Sequence, residues 1–514
     1  MRESVKRRDV RLEFVAVVLL GVLVIGGVLH WTGALYSGWH FVDDHELIRM
    51  EYAFKHQQEP LLRQMWGWII NDFHWRYRPL YWVERVTCAR LWGSNLLYWN
   101  YYTAFKGIVT FVCLYYTARF LRYNRWISLL FPCLILLGEQ YTPWYRSANQ
   151  ESTGIMLLAI ALCLIAAQAY RQKYGNALWQ ITIATVAVLC GLMKESFTLF
   201  MPAFIFLELW LECRDKAVCA GDAKNFLICL KDNSISIILI LVSLLFNVYM
   251  ILFQVGVDKV GYAGFQNGTS LIDYYRGIKE SLGFYMRTYT LAGALILLLM
   301  VVCYKNIAQE DIKKYLSWFL IGVFVMAVQL VAHAKSLMWQ RYIIPYIVGY
   351  AMVFLLLGYR FFEKDIVHRV VFSGIWAVVL IRVVPAAWQG AEKYAADGQI
   401  TRQVIQCALD YTDEDDRIIA AFRDEELNIA TECRMEIEGR TQTYSRVDGE
   451  WRNEVQLSGA LSEEMSWDHA RAVLCYSWQL ENILEDMGGQ VSYEFYDFDG
   501  YGIMIIDNGN CSVS

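Results

Sequence analysis

An α-helical polytopic membrane protein carrying a C-terminal soluble α/β domain is the fold class this sequence predicts, and three observations predict it. First, 56% of the 514 residues are hydrophobic and only 19% charged, with mean hydropathy +0.29. Second, several apolar runs approach 20 residues, the length a bilayer core requires. Third, charge is divided along the chain. Residues 1–388 carry 37 Lys and Arg against 25 Asp and Glu, a balance of +12; residues 389–514 carry 9 against 26, a balance of −17. A basic apolar body and an acidic polar tail point to two domains in different solvents. The expected boundaries are 1–388 for the membrane body and 389–514 for the tail.

The chain opens with a basic stretch, Arg2 to Arg11, followed by an apolar run from Phe14 to about Trp31. That run is longer than the core of a secretory signal, so it reads as a retained first span with a cytoplasmic N-terminus. Ten further spans are expected near 98–118, 126–138, 153–170, 177–193, 197–212, 234–255, 285–304, 315–333, 342–361 and 370–388. Eleven spans place the tail outside. Loops predicted to face inward carry Arg119, Arg122 and Arg125, then Arg171 and Lys173, then Arg214, Lys216, Lys224 and Lys231. The short outer loops are poorer in cations, as the positive-inside rule requires. The expected location is the cytoplasmic membrane, multi-pass.

Two outer segments are long. The first, about 33–97, contains Leu61, Leu62, Met65, Trp66, Ile69 and Ile70 at helical spacing, the pattern of a helix lying in the interface. The second, about 256–287, is rich in Gly and Tyr, reads as a mobile loop, and includes the glycosylation pattern Asn267-Gly268-Thr269. In the tail, 400–411 and 478–487 read as helices. Segments 417–422, 470–476, 492–498 and 501–506 read as strands, the last two joined at Asp499-Gly500. Cys407, Cys433, Cys475 and Cys511 leave one or two disulfides open there.

The chemistry-bearing residues fall on the predicted outer side. Asp43-Asp44-His45-Glu46 follows the first span and is expected at the aqueous edge. Arg76-Tyr77-Arg78-Pro79-Leu80-Tyr81 lies later in the same loop. Lys194-Glu195 ends the fifth span, and Arg341-Tyr342-Ile343-Ile344-Pro345 opens the tenth. Charges at membrane depth are costly and tend to be functional. Acids and bases on one side of a bilayer suit transfer from an anionic lipid. Arg or Lys grips a phosphate, and a carboxylate serves as general base toward an acceptor hydroxyl. No Walker loop or glycine-rich dinucleotide turn stands out, which fits a lipid donor, and no nucleic-acid partner is expected.

In these motifs and their order the chain resembles the GT-C glycosyltransferases, the superfamily of protein O-mannosyltransferases and aminoarabinose transferases. The resemblance covers about residues 10–388. It rests on Asp43-Asp44 with His45 after the first span, Arg78-Pro79-Leu80, Lys194-Glu195 and Arg341-Tyr342-Ile343-Ile344-Pro345. It implies a GT-C-like body and an inverting enzyme that moves a sugar from a polyprenyl-phosphate donor to a hydroxyl of a cell-envelope glycan, lipid or protein. It assigns Asp43 as the base with Asp44 beside it. Arg341 and Lys194 would bind the donor phosphate, with Arg76 and Arg78 as further phosphate ligands and His45, Glu46, Glu195 and Tyr342 as neighbours. Where the family has Asp-Glu this chain has Asp-Asp, so the division of roles between the two acids stays open. A divalent metal near His45 and Glu46 is left open as well, without a third ligand. Other readings are a lipid or glycan transporter, which should show internal repeats, and a glycan ligase or polymerase, which need not have the early acidic pair.

Overall fold

The protein is described from a computed structural model, which covers residues 2–55, 58–147, 149–216, 223–256, 270–303, 309–332, 340–363, 365–447, 450–452, 466–467, 469–488 and 491–506. Asn267-Gly268-Thr269 and Cys511 lie outside the described residues. The chain divides into two compact units, and the division is not a single cut at 388. One unit holds Met1–Thr32, Gly67–Val83 and Tyr101–Ala391; the other holds Gly33–Trp66, Glu84–Asn100 and Glu392–Ser514.

The first unit is helical. Among the described residues, six helices are long and apolar enough to cross a membrane: Val10–Trp31, Glu151–Tyr170, Glu195–Asp215, Ser234–Gly256, Ile344–Phe362 and Ile366–Asp410. Each coincides with an apolar run in the sequence. The other five expected spans are helical but fall short by length, composition or shape. Arg125–Leu136, Ala177–Gly191 and Tyr315–Leu330 are apolar but shorter. Leu96–Phe120 has 25 residues, yet includes Asn100, Lys106 and five tyrosines, which lower its hydropathy. Arg287–Val302 meets Leu271–Phe284 at a bend of 88°, and the two together make a seventh candidate.

The segment expected as a mobile loop thus holds a helix, Leu271–Glu280. Ser270 caps it reciprocally with Asp273: the Ser270 hydroxyl accepts from the Asp273 amide, and the Asp273 carboxylate accepts from the Ser270 amide.

Small residues set one close helix approach. A Cβ on Gly349 would stand 2.6 Å from the Gly322 carbonyl oxygen, and one on Gly322 would stand 2.4 Å from Val353. Gln309–Ala332 and Ile344–Phe362 therefore cross backbone to backbone, as membrane helices do where glycines meet.

The second unit is an α/β domain. Its six strands are β1 (Arg417–Ala420), β2 (Thr443–Val447), β3 (Glu450–Arg452), β4 (Ala470–Tyr476), β5 (Tyr493–Phe498) and β6 (Tyr501–Ile506), in the order β3-β2-β1-β4-β6-β5. β1 pairs in parallel with β2 and β4; the other pairings are antiparallel. Alternation sends Ile418, Leu474 and Ile505 to one face, with Val404, Ala408 and Leu427, and Ile419, Val473 and Met504 to the other, with Ile483. Both faces are thereby covered. Asp499 and Gly500 turn the β5–β6 hairpin with φ of 53° and 90°, the left-handed pair a two-residue hairpin uses. Cys407, Cys433 and Cys475 are free thiols.

Part of the predicted first outer loop belongs to this unit. Helix Phe41–Lys55 lies against helix Glu425–Ile437, where Ile48 and Cys433 form a small buried cluster flanked by Trp39, Tyr52, Ile429 and Ile437.

Candidate functional site

The first unit collects the predicted cations around the head of one membrane helix. Ala177–Gly191 ends and Glu195–Asp215 begins at Lys194, whose backbone is extended, with φ −169° and ψ 150°. The break turns the Lys194 side chain inward, where it is 4% exposed. Its ammonium meets the Glu151 carboxylate at 2.5 Å and lies 3.9 Å from the centre of the Tyr342 ring. Glu151 is itself 3% exposed and opens the helix Glu151–Tyr170. The pair can lie so deep because ammonium, carboxylate and ring compensate one another.

Arg341 stands over the same ring, its guanidinium carbon 5.1 Å from the centroid and Nη1 3.5 Å from Asn149 Oδ1. The segment Asn149–Glu151 is therefore met by two of the predicted phosphate ligands. Arg78 reaches it too, donating from Nη1 to Gln150 Oε1 at 2.8 Å. The Arg78 fork grips Asp72 through Nε at 2.9 Å and Nη2 at 3.0 Å, a bidentate pair that holds the guanidinium plane. Tyr81 and Trp82 cover Arg78, with ring centres at 4.6 and 5.1 Å. Arg76 is near enough to act electrostatically on Lys194 and Tyr342.

The stretch Arg76–Leu80 is pinned to the Lys194 break by main-chain bonds. The Tyr77 amide donates to Glu195 Oε1 at 2.7 Å, and the Leu80 amide to the Leu192 carbonyl at 3.1 Å. The Tyr77 hydroxyl donates to Asn247 Oδ1 at 3.2 Å. Two sequence-distant motifs thus form one polar cluster inside apolar helices. Arg76, Arg78, Lys194 and Arg341 oppose Asp72, Glu151 and Glu195, so these seven side chains sum to +1.

Burial shifts the ionisation of this cluster. It lowers the Lys194 ammonium to about 8, an effect Glu151 opposes and Arg76 reinforces. It raises the Asp72 carboxyl against the pull of Arg78. Burial also pushes the Tyr77 phenol up to about 12.

The acidic pair belongs to the second unit. Asp43 and His45 lie in helix Phe41–Lys55, but their side chains are outside the described residues. Asp44 was expected at the aqueous edge and is instead buried, 2% exposed. Its carboxylate accepts from the His40 amide at 2.9 Å, and the His40 ring stands 3.7 Å from it. Asp44, the fourth residue of the helix, therefore caps its start by accepting from the amide of the residue just before it. His40 is held in turn by the Tyr394 carbonyl at 2.8 Å and by stacking on the Tyr394 ring at 3.6 Å. Glu46 pairs with the buried Arg85 at 3.1 Å. Among the described residues, no group of three or more His, Cys, Asp or Glu could hold a metal ion.

Sequence reasoning missed Asp72, Gln150 and Glu151. The available signal was a polar run, Asn149-Gln150-Glu151, directly before an apolar helix, and an acid six positions before Arg78. No protein-family model matches the chain, and no curated protein matches it.

Proposed function

We propose that this chain is an integral-membrane, inverting glycosyltransferase. It moves a sugar from a polyprenyl-phosphate donor to an acceptor hydroxyl of a cell-envelope glycan, lipid or protein at the outer face. The observation that carries the reading is the cluster of Arg76, Arg78, Lys194 and Arg341 around Glu151, a residual positive site among helices apolar enough for lipid. A phosphodiester brings the one negative charge that would neutralise it, and its polyprenyl tail is soluble in the surrounding bilayer. Charge building on the departing phosphate is then stabilised by cations already oriented by Asp72, Glu151 and Tyr342, so little reorganisation is needed as the bond breaks.

In this mechanism a general base, assigned to Asp43 by the resemblance of its motif, takes the proton of the acceptor hydroxyl, whose oxygen forms the new bond to the anomeric carbon. The bond from that carbon to the phosphate oxygen breaks, and polyprenyl phosphate leaves with the electron pair. Asp44 supports the base by fixing the start of its helix. The full set of eleven spans, with the N-terminus inside and the α/β domain outside, belongs to this proposal.

The test is transfer itself. Purified protein in lipid nanodiscs is given a polyprenyl-phosphate hexose labelled in the sugar together with a cell-envelope glycan acceptor, and movement of the label to the acceptor with release of lipid phosphate is followed. Asp43→Asn is expected to abolish release, and Arg341→Ala to cut it by about a hundredfold, the scale for losing a charge-stabilising donor. Release that persists unchanged in both variants would remove the reading. Movement of intact labelled lipid between leaflets without bond cleavage would favour a transporter.

A further inference from the structure

The sheet of the second unit has a topological switch point of its own. From β1 the chain runs through helix Glu425–Ile437 to β2 on one side, whereas β4 on the other side leads on to β5 and β6. The winding therefore reverses beside the carboxyl ends of β1 and β4, the place where open α/β sheets bind ligands. Aromatic rings gather there, over the buried Phe422. Phe422, just beyond β1, lies 5.4 Å from Tyr476 at the end of β4 and 6.3 Å from Tyr501 at the start of β6. Tyr476 and Tyr501 are 5.6 Å apart. Trp478 stands 5.8 Å from Tyr476 with its ring only 12° from parallel, and is 60% exposed. The turn beyond β1 is rigid, because the Asn428 amide donates to the Phe422 carbonyl at 2.8 Å while its oxygen accepts from the Phe422 amide at 2.9 Å.

Charge says what this surface takes. Switch points that bind phosphate offer a bare helix N-terminus. Here Asp424 and Glu425 occupy that end, and the turn 422–426 carries Arg423 against three acids, a balance of −2. The Asp424 carboxylate, after burial, helps to hold the Tyr476 and Tyr501 phenols above their ordinary values. An anionic ligand is repelled, while hydroxyl groups find acceptors beside an apolar ring face. We propose that the β1/β4 switch point of the C-terminal domain binds a neutral glycan, with Trp478 and Tyr476 covering the apolar face of a pyranose ring and Asp424 accepting its hydroxyls. Sugar binding and sugar transfer are read by different measurements, so each can fail without the other.

Full-length protein in nanodiscs is titrated with chitohexaose, maltohexaose, cellohexaose and mannohexaose, and with uridine diphosphate as the anionic comparison, by saturation-transfer NMR. At least one neutral hexasaccharide binds; Trp478→Ala weakens it by about tenfold or more, and Trp478→Phe retains most of the affinity. Because Trp478 is exposed, the melting midpoint of the Trp478→Ala protein stays unchanged. The proposal is overturned if none of the four sugars binds, if their binding survives Trp478→Ala, or if uridine diphosphate binds with the same dependence on Trp478.

Discussion

A lysine buried in a membrane protein is expensive, and Lys194 shows how the expense is limited. Glu151 and Tyr342 surround it, and burial still lowers its ammonium to about 8 against an ordinary 10.5. The charged form is the one that holds phosphate. The protonated fraction in the free protein halves at about pH 8, so donor kcat/KM is expected to fall as pH rises through that value. Lys194→Arg should flatten that profile, since a guanidinium stays charged; an unflattened profile would assign the titration elsewhere. The stability effect has the opposite sign. The unfolded chain keeps this proton up to about 10.5, so the folded state is penalised below about pH 8 and relieved between the two values.

Removing one partner of the pair is a harsher change. Lys194→Met leaves the Glu151 carboxylate buried without its ammonium, at a cost of about 3–5 kcal/mol. The double variant Lys194→Met, Glu151→Gln should recover the melting midpoint and not the transfer, which separates structural from catalytic loss. Asp44 offers a second separation. Asp44→Asn keeps an oxygen to accept from the His40 amide, whereas Asp44→Ala removes the cap and costs about 1 kcal/mol. A melting curve that ranks Ala below Asn supports capping; equal curves would refute it.

At the scale of elements, single glycines decide how closely helices pack. Gly349 and Gly322 let Gln309–Ala332 meet Ile344–Phe362 without side chains between them. Gly349→Val forces at least the Gly322 carbonyl and Met326 aside, and about 1–3 kcal/mol of overpacking is expected. Monodisperse yield in detergent should drop accordingly, and an unchanged yield would mean the crossing is looser than described. The helix Leu61–Asp72 carries a different kind of information. Leu62, Trp66 and Ile70 are exposed at spacings of four while Gln64 and Ile69 are buried, so the helical periodicity legible in the sequence is present and only part of its apolar stripe is exposed.

Element type was legible wherever the pattern was long or strict. The apolar runs became helices, and β4, β6 and the Asp499-Gly500 hairpin fall where alternation and turn chemistry put them. Helix Glu425–Ile437 and strands β2 and β3 were missed. The helix mixes Glu432, Arg434 and Glu436 with its apolar residues, and β2 and β3 have five and three residues with charges in both. Such segments are stabilised by what they pack against rather than by their own periodicity.

For the whole molecule, sidedness is the prediction that matters most to the proposed reaction. In sealed, inside-in vesicles whose exposed native cysteines are replaced, Asn71→Cys and Glu494→Cys should react with an impermeant maleimide added outside. Lys224→Cys should react only after the membrane is opened. Reaction of Asn71→Cys only after the membrane is opened would separate the cations from the compartment in which transfer is proposed.

Sequence alone located the apolar and polar parts of this protein: runs near bilayer length, six of which are helices long and apolar enough to cross a membrane, and an acidic tail with strand alternation. Those are local properties, summed over neighbouring residues. The tertiary structure decided which charges face which. Lys194 meets Glu151 across 43 positions, Asp44 is a buried cap rather than an open carboxylate, and residues 33–66 and 84–100 join the α/β domain instead of the membrane body. A charge excluded from water must find its partner in space, and no periodicity along the chain encodes where that partner will be.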